Sequence, residues 1–449
     1  MPRPNVIYVF ADQWRAQAMG YAGDPNVKTP NLDVFAAESV NFRKAISGVP
    51  VCCPARATLI SGQRPLSHGV FLNDVCLPND RRSIAHRFKD AGYDTAYIGK
   101  WHIDGHGRKS YNIPPERNRG FDYWKVLECT HDYNSSPYFE GTSEVKKFWE
   151  GYDAIAQTTD ACNYVRNRSP EDKPFLLMLS WGPPHDPYGT APEQYRAMYN
   201  PDDIILPLNV PEEEVDTARK ELAGYYAHCS ALDDQFARLR EVLRATGQEE
   251  NTILVFTSDH GDMLRSHGQQ RKQRPWEESM RIPFLLRWPA GLGEQGRATD
   301  ALLDVLDHQP TLLELCSIEC DGALEGLSFK AAAKNNAVDA DYAALLACYH
   351  PFGEYERRNG GQEYRGLRTQ RYTYVETRGE PWLLYDNDND PYQLLNLVSN
   401  PTHSDIQHRL SSLLHAKLDS LGDRFEIGET YCRHWGHPID EWGTVPVFD

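Results

Sequence analysis

One short segment combines a thiol and a guanidinium at a spacing that could support nucleophilic chemistry. It has the pattern Cys-x-Pro-x-Arg, from Cys52 through Pro54 to Arg56, and an apolar run follows it as far as Gly62. Proline is tolerated in the first turn of a helix, and glycine often stands just beyond a helix end. We therefore predict a helix that begins near the cysteine, with Arg56 one turn further on the same face. A sulfur and a guanidinium at the positive end of a helix suit attack on a tetrahedral oxyanion ester.

Two other interpretations of this segment have to be weighed. A cysteine beside an arginine is most often a buried structural pair. A tyrosine-phosphatase loop would need an arginine six residues after the cysteine, but Thr58 follows Cys52 at that distance and Leu59 follows Cys53. The sequence therefore excludes the phosphatase loop and leaves the structural pair open.

Polar pairs follow two near-continuous apolar runs, which predict strands buried on both faces of a parallel sheet. Asp12 and Gln13 follow the first run, and Asp259 and His260 follow the second. Because open α/β sheets bind ligands beyond the carboxyl ends of their strands, the two pairs could converge on one metal ion. An ordinary exit from strand to loop would explain either pair alone. Oxygen donors favour Ca²⁺ first and Mg²⁺ next, and the imidazole of His260 adds Mn²⁺ or Zn²⁺ as alternatives.

Further cationic side chains follow two other predicted strands. Lys100 and His102 stand two residues apart, so in extended chain both side chains can face one cleft. As isolated residues, they could equally be solvated. His185 lies in a loop with prolines on both sides, which would hold the imidazole in place.

These segments together resemble the sulfatase family. Cys-x-Pro-x-Arg resembles the signature in which the cysteine is oxidised after translation to formylglycine, although Ala55 stands where serine is usual and Gln63 where arginine is frequent. The segment 92–102 resembles the family's second signature, and 182–187 resembles the loop with its substrate-binding histidine. The resemblance covers nearly the whole chain except residues 105–160 and the C-terminal tail.

The resemblance implies a set of site residues and a role for each of them. The implied catalytic residues are Cys52, Arg56, Lys100, His102, His185 and Lys272, and the implied metal ligands are Asp12, Gln13, Cys52, Asp259 and His260. In these roles, one hydroxyl of the formylglycine hydrate at position 52 attacks sulfur, and Arg56 and the metal orient the hydrate. The two lysines neutralise the sulfuryl oxygens, and His185 with Lys272 assists the leaving oxygen. His102 takes a proton from the second hydroxyl of the hydrate, which expels sulfate by cleavage of the C–O bond and restores the aldehyde.

The implied activity is hydrolysis of sulfate monoesters, with a sulfated carbohydrate as the expected substrate and a formylglycine-generating enzyme as the maturation partner. One alternative is a phosphonate-monoester or phosphodiester hydrolase, or a choline-sulfate-type sulfatase, of the same alkaline phosphatase superfamily. A histidine at the position of His260 is similar to the pattern of those enzymes. A non-catalytic glycan-binding relative is a second alternative. The full set of implied catalytic residues argues against it.

The elements that must position these residues predict an α/β fold. We expect a mostly parallel central sheet between helices in residues 1–335 and a smaller C-terminal subdomain with an antiparallel sheet in 336–449. Hydrophobic spacing predicts helices over 83–91, 217–244 and 408–421, and apolar or alternating runs predict strands over 94–98, 174–181, 282–288, 364–369, 371–375 and 382–386. Residues 105–160 are expected to form long loops around a pocket.

Composition excludes several classes of protein. The chain has 449 residues and a net charge of −17, which argues against nucleic acid as a partner and against a basic membrane-surface protein. Its ten cysteines include no Cys-x-x-Cys pair, so a cysteine-rich zinc site is not expected. No apolar run could span a membrane and no signal peptide precedes the first strand. These features predict a cytoplasmic protein, or a periplasmic or secreted one if a leader has been removed.

Overall fold

The computed structural model describes residues 3–105, 108, 112–169 and 171–446. The strands are β1 (Asn5–Asp12), β2 (Val40–Ile46), β3 (Asp94–Lys100), β4 (Tyr123–Leu127), β5 (Pro137–Glu140), β6 (Lys147–Phe148), β7 (Phe175–Pro184), β8 (Thr252–Ser258), β9 (Phe284–Arg287), β10 (Arg297–Asp304), β11 (Ala344–Cys348), β12 (Tyr364–Arg368), β13 (Tyr372–Thr377) and β14 (Pro381–Asp386). The helices are α1 (Pro30–Ala37), α2 (Cys52–Ser61), α3 (Pro65–His68), α4 (Ile84–Asp90), α5 (Asp153–Arg166), α6 (Glu193–Arg196), α7 (Val215–Ala245), α8 (Glu277–Met280), α9 (Pro289–Leu292), α10 (Val305–Leu315), α11 (Lys330–Asn335), α12 (Ser404–Leu421) and α13 (Gly428–Trp435).

A ten-stranded sheet forms the centre of the molecule, in the order β10-β2-β9-β8-β1-β7-β3-β4-β5-β6. Strands β8, β1, β7, β3 and β4 run parallel to one another, and β10 runs parallel to β2, whereas β9 is antiparallel to both β2 and β8 and β5 is antiparallel to β4. The predicted α/β fold with a mostly parallel sheet is confirmed. The central strands β8, β1, β7 and β3 therefore present their carboxyl ends at one edge.

Strand β1 is buried on both faces, which explains its continuous apolar sequence. Val6, Tyr8 and Phe10 contribute to one hydrophobic cluster, and the alternating residues Ile7 and Val9 contribute to a second. Helix α7 belongs to the second cluster and covers that face of the sheet. Packing on both sides holds the end of β1, and with it the predicted metal ligands, in a fixed place.

A second sheet has four antiparallel strands in the order β11-β12-β13-β14. Helix α12 packs Leu410, Leu414 and Leu418 into the same hydrophobic cluster as Leu367 of β12. The i, i+4 spacing of these leucines explains why the sequence predicted this helix. The three strands predicted in this region are confirmed, although β11 was not expected. A domain boundary at residues 335 and 336 remains a prediction.

The expectation of long loops over residues 105–160 was wrong in part. This region contains β4, β5, β6 and the first half of α5. Helix α5 buries Ala154, Ala161, Cys162 and Val165, but polar residues are interspersed among them, so the helical period is weak in the sequence. Residues 106, 107 and 109–111 of the expected loop lie outside the described residues. Within the described residues, no helix has the length and apolar composition needed to cross a lipid bilayer.

Candidate active site

Helix α2 places Cys52 at its first residue. Val51 before it has extended backbone, and Gly62 ends the helix in the left-handed conformation with φ of 73°, as the sequence predicted. The Cys52 Sγ atom lies 3.2 Å from Nε2 of His260 and 3.6 Å from Oδ1 of Asp12. Although Cys52 is only 1% exposed, its thiol therefore faces polar groups and does not point into the apolar core.

Four buried side chains converge beside the end of β1. One ligand atom from each of Asp12, Cys52, Asp259 and His260 lies within 4.8 Å of the others. They meet because β1 and β8 are adjacent and parallel, with Ala11 paired to Ser258, so Asp12 and Asp259 leave the sheet side by side. Two carboxylates, a sulfur and an imidazole facing one point form a donor set that fits a divalent cation.

The protonation of His260 is compatible with metal binding. Its Nδ1 atom lies 2.8 Å from the carbonyl oxygen of Gly261, which can only accept a hydrogen bond. The ring proton therefore resides on Nδ1, and the lone pair of Nε2 faces the cluster. Burial lowers the pKa of His260, so the neutral imidazole that a metal requires is favoured.

Arg56 bridges the two carboxylates of this cluster. Its Nε donates to Oδ2 of Asp259 at 2.9 Å, and its Nη2 donates to Oδ2 of Asp12 at 3.1 Å. Nη1 donates to Oγ of Ser180 and to the carbonyl oxygen of Lys100. The guanidinium thus uses all of its sides, and it fixes the carboxylates of β1 and β8 relative to each other.

Lys100 forms the closest ion pair of the cluster, with Nζ 2.6 Å from Oδ2 of Asp12. Burial alone would raise the pKa of Asp12, but the cations of Lys100, His185 and Arg56 hold it well below its usual range. Burial would lower the pKa of Lys100, yet the carboxylate of Asp12 raises it well above its usual value. Asp12 is therefore ionised and Lys100 is protonated, so the two side chains form a buried ion pair in this pocket.

Lys272 connects Gln13 with His185. Its Nζ donates to Oε1 of Gln13 at 2.7 Å and lies 2.7 Å from Nε2 of His185. Gln13 also donates from its backbone amide to Oδ1 of Asp259, which holds it beside the cluster. Because its side-chain oxygen accepts from Lys272, the role of Gln13 as a metal ligand remains a prediction.

Four residues that the sequence analysis did not include complete a ring around Lys272 and His185. Gln13 donates to Asp262, Tyr188 donates to the same carboxylate, Arg271 contacts both Tyr188 and Asp186, and Asp186 lies 3.0 Å from Nδ1 of His185. Asp186 and Asp262 stand next to predicted site residues, which was the available signal. Since Asp186, Tyr188, Asp262 and Arg271 are bonded to one another, they hold His185 and Lys272 in place.

His102 lies in a separate group of side chains, in which it contacts Asp74 and Asp74 in turn contacts Arg108. Its Nε2 lies 3.2 Å from Oδ1 of Asp74, to which Arg108 also donates. Among the described residues, no hydrogen bond connects His102 directly to the four converging side chains. A role for Asp74 or Arg108 could not be predicted from the sequence, because both residues lie in irregular segments without a recognisable pattern.

Comparison with known proteins agrees with this geometry. The sequence model of the Sulfatase family matches residues 4–318, and that of the C-terminal region of N-sulphoglucosamine sulphohydrolase matches 266–420. An ulvan-active sulfatase of Formosa agariphila is 43% identical over 97% of this chain and 85% of its own length. An endo-4-O-sulfatase of Bacteroides thetaiotaomicron is 32% identical, with 88% of each chain covered.

A solved structure has the same fold over nearly the whole chain. A sulfatase from Bacteroides fragilis superposes with a TM-score of 0.86 at 29% identity, covering 96% of this chain and 98% of that one. The family match extends over well more than half of the sequence. This chain therefore belongs to the sulfatase family of the alkaline phosphatase superfamily, and it is a sulfuric ester hydrolase.

Proposed function

We propose that this sulfatase hydrolyses sulfate monoesters of a carbohydrate, with the hydrate of formylglycine made from Cys52 as its nucleophile. The observation that carries the proposal is the burial of the Cys52 thiol against Asp12 and His260, at the edge where β1 and β8 end. The names of two relatives, one active on ulvan and one an endo-4-O-sulfatase, support a carbohydrate substrate. Maturation would require a formylglycine-generating enzyme as a transient partner.

The residues of the cluster would hold one divalent cation, with Ca²⁺ as the proposed metal. Asp12, Asp259 and Gln13 supply hard oxygen donors, His260 supplies a bare nitrogen, and the group at position 52 completes the set. When bound, the cation supplies positive charge beside the nucleophile and the sulfuryl oxygens. Mg²⁺ or Mn²⁺ are the alternatives at the same donors: Mg²⁺ demands stricter octahedral geometry, and Mn²⁺ also takes oxygen ligands.

The cationic side chains would bind the sulfuryl group and stabilise the charge that develops on it. Lys100 carries its charge next to Asp12, and Lys272 carries its charge next to Gln13, so ammonium groups flank the position of Cys52. Arg56 fixes the carboxylates between them. Because these charges are already in place and largely shielded from water, little reorganisation is needed as charge builds up in the transition state.

The pair His185 and Lys272 would protonate the leaving oxygen. Nε2 of His185 and Nζ of Lys272 lie 2.7 Å apart, so a proton at this contact is within reach of both atoms. As negative charge develops on the departing alkoxide, this proton is positioned for donation. His102 would act in the second half of the reaction. Burial lowers its pKa, so the imidazole is neutral at physiological pH and one ring nitrogen has a lone pair.

Both proposed domains contribute to the surroundings of Lys272. The side chain of Gln273 donates to the carbonyl oxygen of Phe352, and Arg274 donates to that of Glu354. These contacts bring the C-terminal part next to the pocket. A boundary at residues 335 and 336, with a substrate cleft between the two parts, belongs to the proposal. We propose that the loop around 352–358 faces the sugar, beyond the sulfate-binding pocket.

Turnover of defined sulfated mono- and disaccharides tests the proposed substrate. The expected result is release of inorganic sulfate from one sulfated position of one sugar type, at rates above those for aryl sulfate. His260 also favours a second candidate, hydrolysis of phosphonate monoesters, so aryl phosphonate monoester is assayed in parallel. Faster turnover of the phosphonate, or binding of sulfated sugars without any turnover, would contradict the proposal.

A further inference from the structure

Asp74 is hydrogen-bonded to the imidazole of His102 and to the guanidinium of Arg108. Its Oδ1 lies 3.2 Å from Nε2 of His102 and accepts from Nε of Arg108 at 2.9 Å, while Oδ2 accepts from Nη2 of the same arginine. The side chains of His102 and Asp74 are 3% and 11% exposed, respectively. The hydrogen bond between His102 and Asp74 is therefore shielded from water, so it is electrostatically stronger than the same bond at the surface would be.

The backbone holds both partners of this contact in a conformation that side chains rarely adopt. Asp74 has φ of 63° and His102 has φ of 59°, which places two non-glycine residues in the left-handed region. The backbone amide of Asp74 donates to Sγ of Cys53, and the side chain of Asn73 accepts from the amide of Cys53. The loop that carries Asp74 is thus bonded to the first turn of α2, directly beside Cys52.

The chemistry of the pair determines which nitrogen of His102 carries the proton. Burial alone would raise the pKa of Asp74, but its hydrogen bonds to His102 and Arg108 hold it well below the usual range. An ionised carboxylate only accepts hydrogen bonds, so Nε2 of His102 must donate. Because burial keeps the imidazole neutral, its other nitrogen, Nδ1, has no proton. Nδ1 is buried and has no hydrogen-bond partner among the described residues.

We propose that Asp74 is a positioning residue that fixes His102 in the Nε2–H tautomer and so makes Nδ1 the atom that accepts a proton during the reaction. The inference rests on the role of His102 as a base in the proposed function. The proton that Nδ1 accepts comes from the second hydroxyl of the formylglycine hydrate, whose oxygen becomes the aldehyde oxygen as the C–O bond to the departing sulfate breaks. The proton on Nε2 stays in its hydrogen bond with Asp74. Asp74 also compensates the positive charge that then forms on the ring.

Two variants separate this role from that of a simple loop anchor. Asp74→Gly removes the acceptor and tolerates the left-handed backbone. Asp74→Asn keeps a side-chain oxygen that can accept from Nε2–H, and asparagine also tolerates this conformation. Asp321→Gly is the matched control, because it deletes a carboxylate that pairs with an arginine, Arg87, outside this cluster. Thermal unfolding of each variant establishes that it is folded.

The first readout does not depend on turnover. The full-length protein is labelled with nitrogen-15 at its 16 histidines, and the signals of His102 are assigned by their loss in His102→Gln. The expected spectrum has the proton on Nε2 in the parent protein, in Asp321→Gly and mainly in Asp74→Asn. In Asp74→Gly, we expect a mixture of the two tautomers, because nothing then selects Nε2.

The second readout is steady-state hydrolysis of aryl sulfate by the matured, metal-loaded enzyme. We expect kcat to fall about 100-fold in Asp74→Gly and about tenfold in Asp74→Asn, with KM unchanged within about twofold, since substrate binding is not altered. Asp321→Gly is expected to keep the parent kcat. A loop anchor alone would instead lower the amount of folded enzyme and affect kcat and KM together.

Two results would overturn the proposal. One is an unchanged Nε2–H tautomer in folded Asp74→Gly, and the other is an altered tautomer without a fall in kcat. Failure of the proposed function is distinguishable, because the parent enzyme itself would then not hydrolyse sulfate esters. In that case, the nitrogen spectra would still show whether Asp74 selects the tautomer, and no role in catalysis could be claimed for it.

Discussion

Two buried ion-pair clusters in this molecule differ in how completely their groups are satisfied. In the C-terminal region, Arg365 and Asp423 form a pair with side chains 0% and 2% exposed. Arg365 donates twice to the carboxylate and also to the carbonyl oxygens of Cys348 and Tyr364, and its guanidinium lies 4.0 Å from the ring centroid of Tyr349. Every strong donor there has a partner within the fold.

The cluster around Cys52 is equally buried but is not closed on itself. Arg56 and Lys100 neutralise Asp12 and Asp259, yet Sγ of Cys52 and Nε2 of His260 still face the same point. Lone pairs that converge without enough donors between them are what a metal ion requires. The comparison indicates that a buried ion pair stabilises the fold when all of its hydrogen-bonding groups have partners. A buried cluster can instead bind a metal ion when several acceptor atoms remain directed at one another.

The largest expected difference between the two clusters concerns activity. Cys52→Ala should lower kcat/KM by at least about 10⁴-fold, because it removes the nucleophile, whereas stability should change little. Asp423→Asn should leave kcat per folded molecule unchanged. Steady-state kinetics on purified, correctly folded protein measures both. Residual activity of Cys52→Ala within tenfold of the parent would show that another group performs the attack.

Metal binding should distinguish the clusters next. Removal of divalent cations with a chelator should abolish activity, and added Ca²⁺ should restore it and raise the midpoint of thermal unfolding, because a ligand that binds only the native state stabilises it. Asp259→Asn should lose this shift, while Asp423→Asn should keep it. Calorimetry with and without Ca²⁺ makes the comparison. An equal shift in both variants would place the ion elsewhere.

The closed cluster should show its effect on stability. Arg365→Met leaves the Asp423 carboxylate buried and unpaired, which we expect to cost about 3–5 kcal/mol of unfolding free energy. The activity of the remaining folded enzyme should be unaffected. Denaturant unfolding followed by fluorescence checks the first statement, and active-site-normalised rates check the second. A loss below about 1 kcal/mol would mean that the pair is less important to the fold than its burial indicates.

The smallest expected effect concerns Glu128, a buried carboxyl that no cation contacts among the described residues. Glu128 accepts from the amides of Asp104 and Gly105, but burial and the charge of Asp104 raise its pKa to about 8. Since the unfolded value lies near 4.5, its contribution to stability is full below pH 4.5 and is lost as the pH rises through about 8.

Glu128→Gln should therefore match the parent near pH 5 and exceed it in stability at pH 8.5, by on the order of 1–3 kcal/mol. Glutamine keeps the oxygen that accepts from the two amides, so the difference isolates ionisation. Denaturant unfolding at the two pH values gives the comparison. Equal differences at both pH values would show that folding does not raise the pKa of Glu128.

The sequence predicted the strand ends and the helix of Cys52 because both leave local signals. Uninterrupted apolar runs identify β1 and β8. Parallel strands end at the same edge of a sheet, so Asp12 and Asp259 at the ends of these runs could be placed at one edge. The first turn of α2 is identified by Pro54 and its end by Gly62. These features depend on a few neighbouring residues and not on the rest of the fold.

Contacts between distant loops were not predictable in the same way. Arg271 stands in a charged segment without a local pattern, and only the folded chain brings it to Asp186 and Tyr188. Asp74 reaches His102 because both residues adopt left-handed backbone, which neither residue type signals on its own. The roles assigned to the site residues accordingly remain proposals, to be decided by the variants above.

The measurement that tests the central claim most directly is mass spectrometry of the peptide that contains Cys52, taken from protein of known specific activity. The account predicts that the activity of different preparations rises in proportion to the fraction of position 52 converted to formylglycine. Fully active enzyme in which position 52 is entirely an intact cysteine would contradict it.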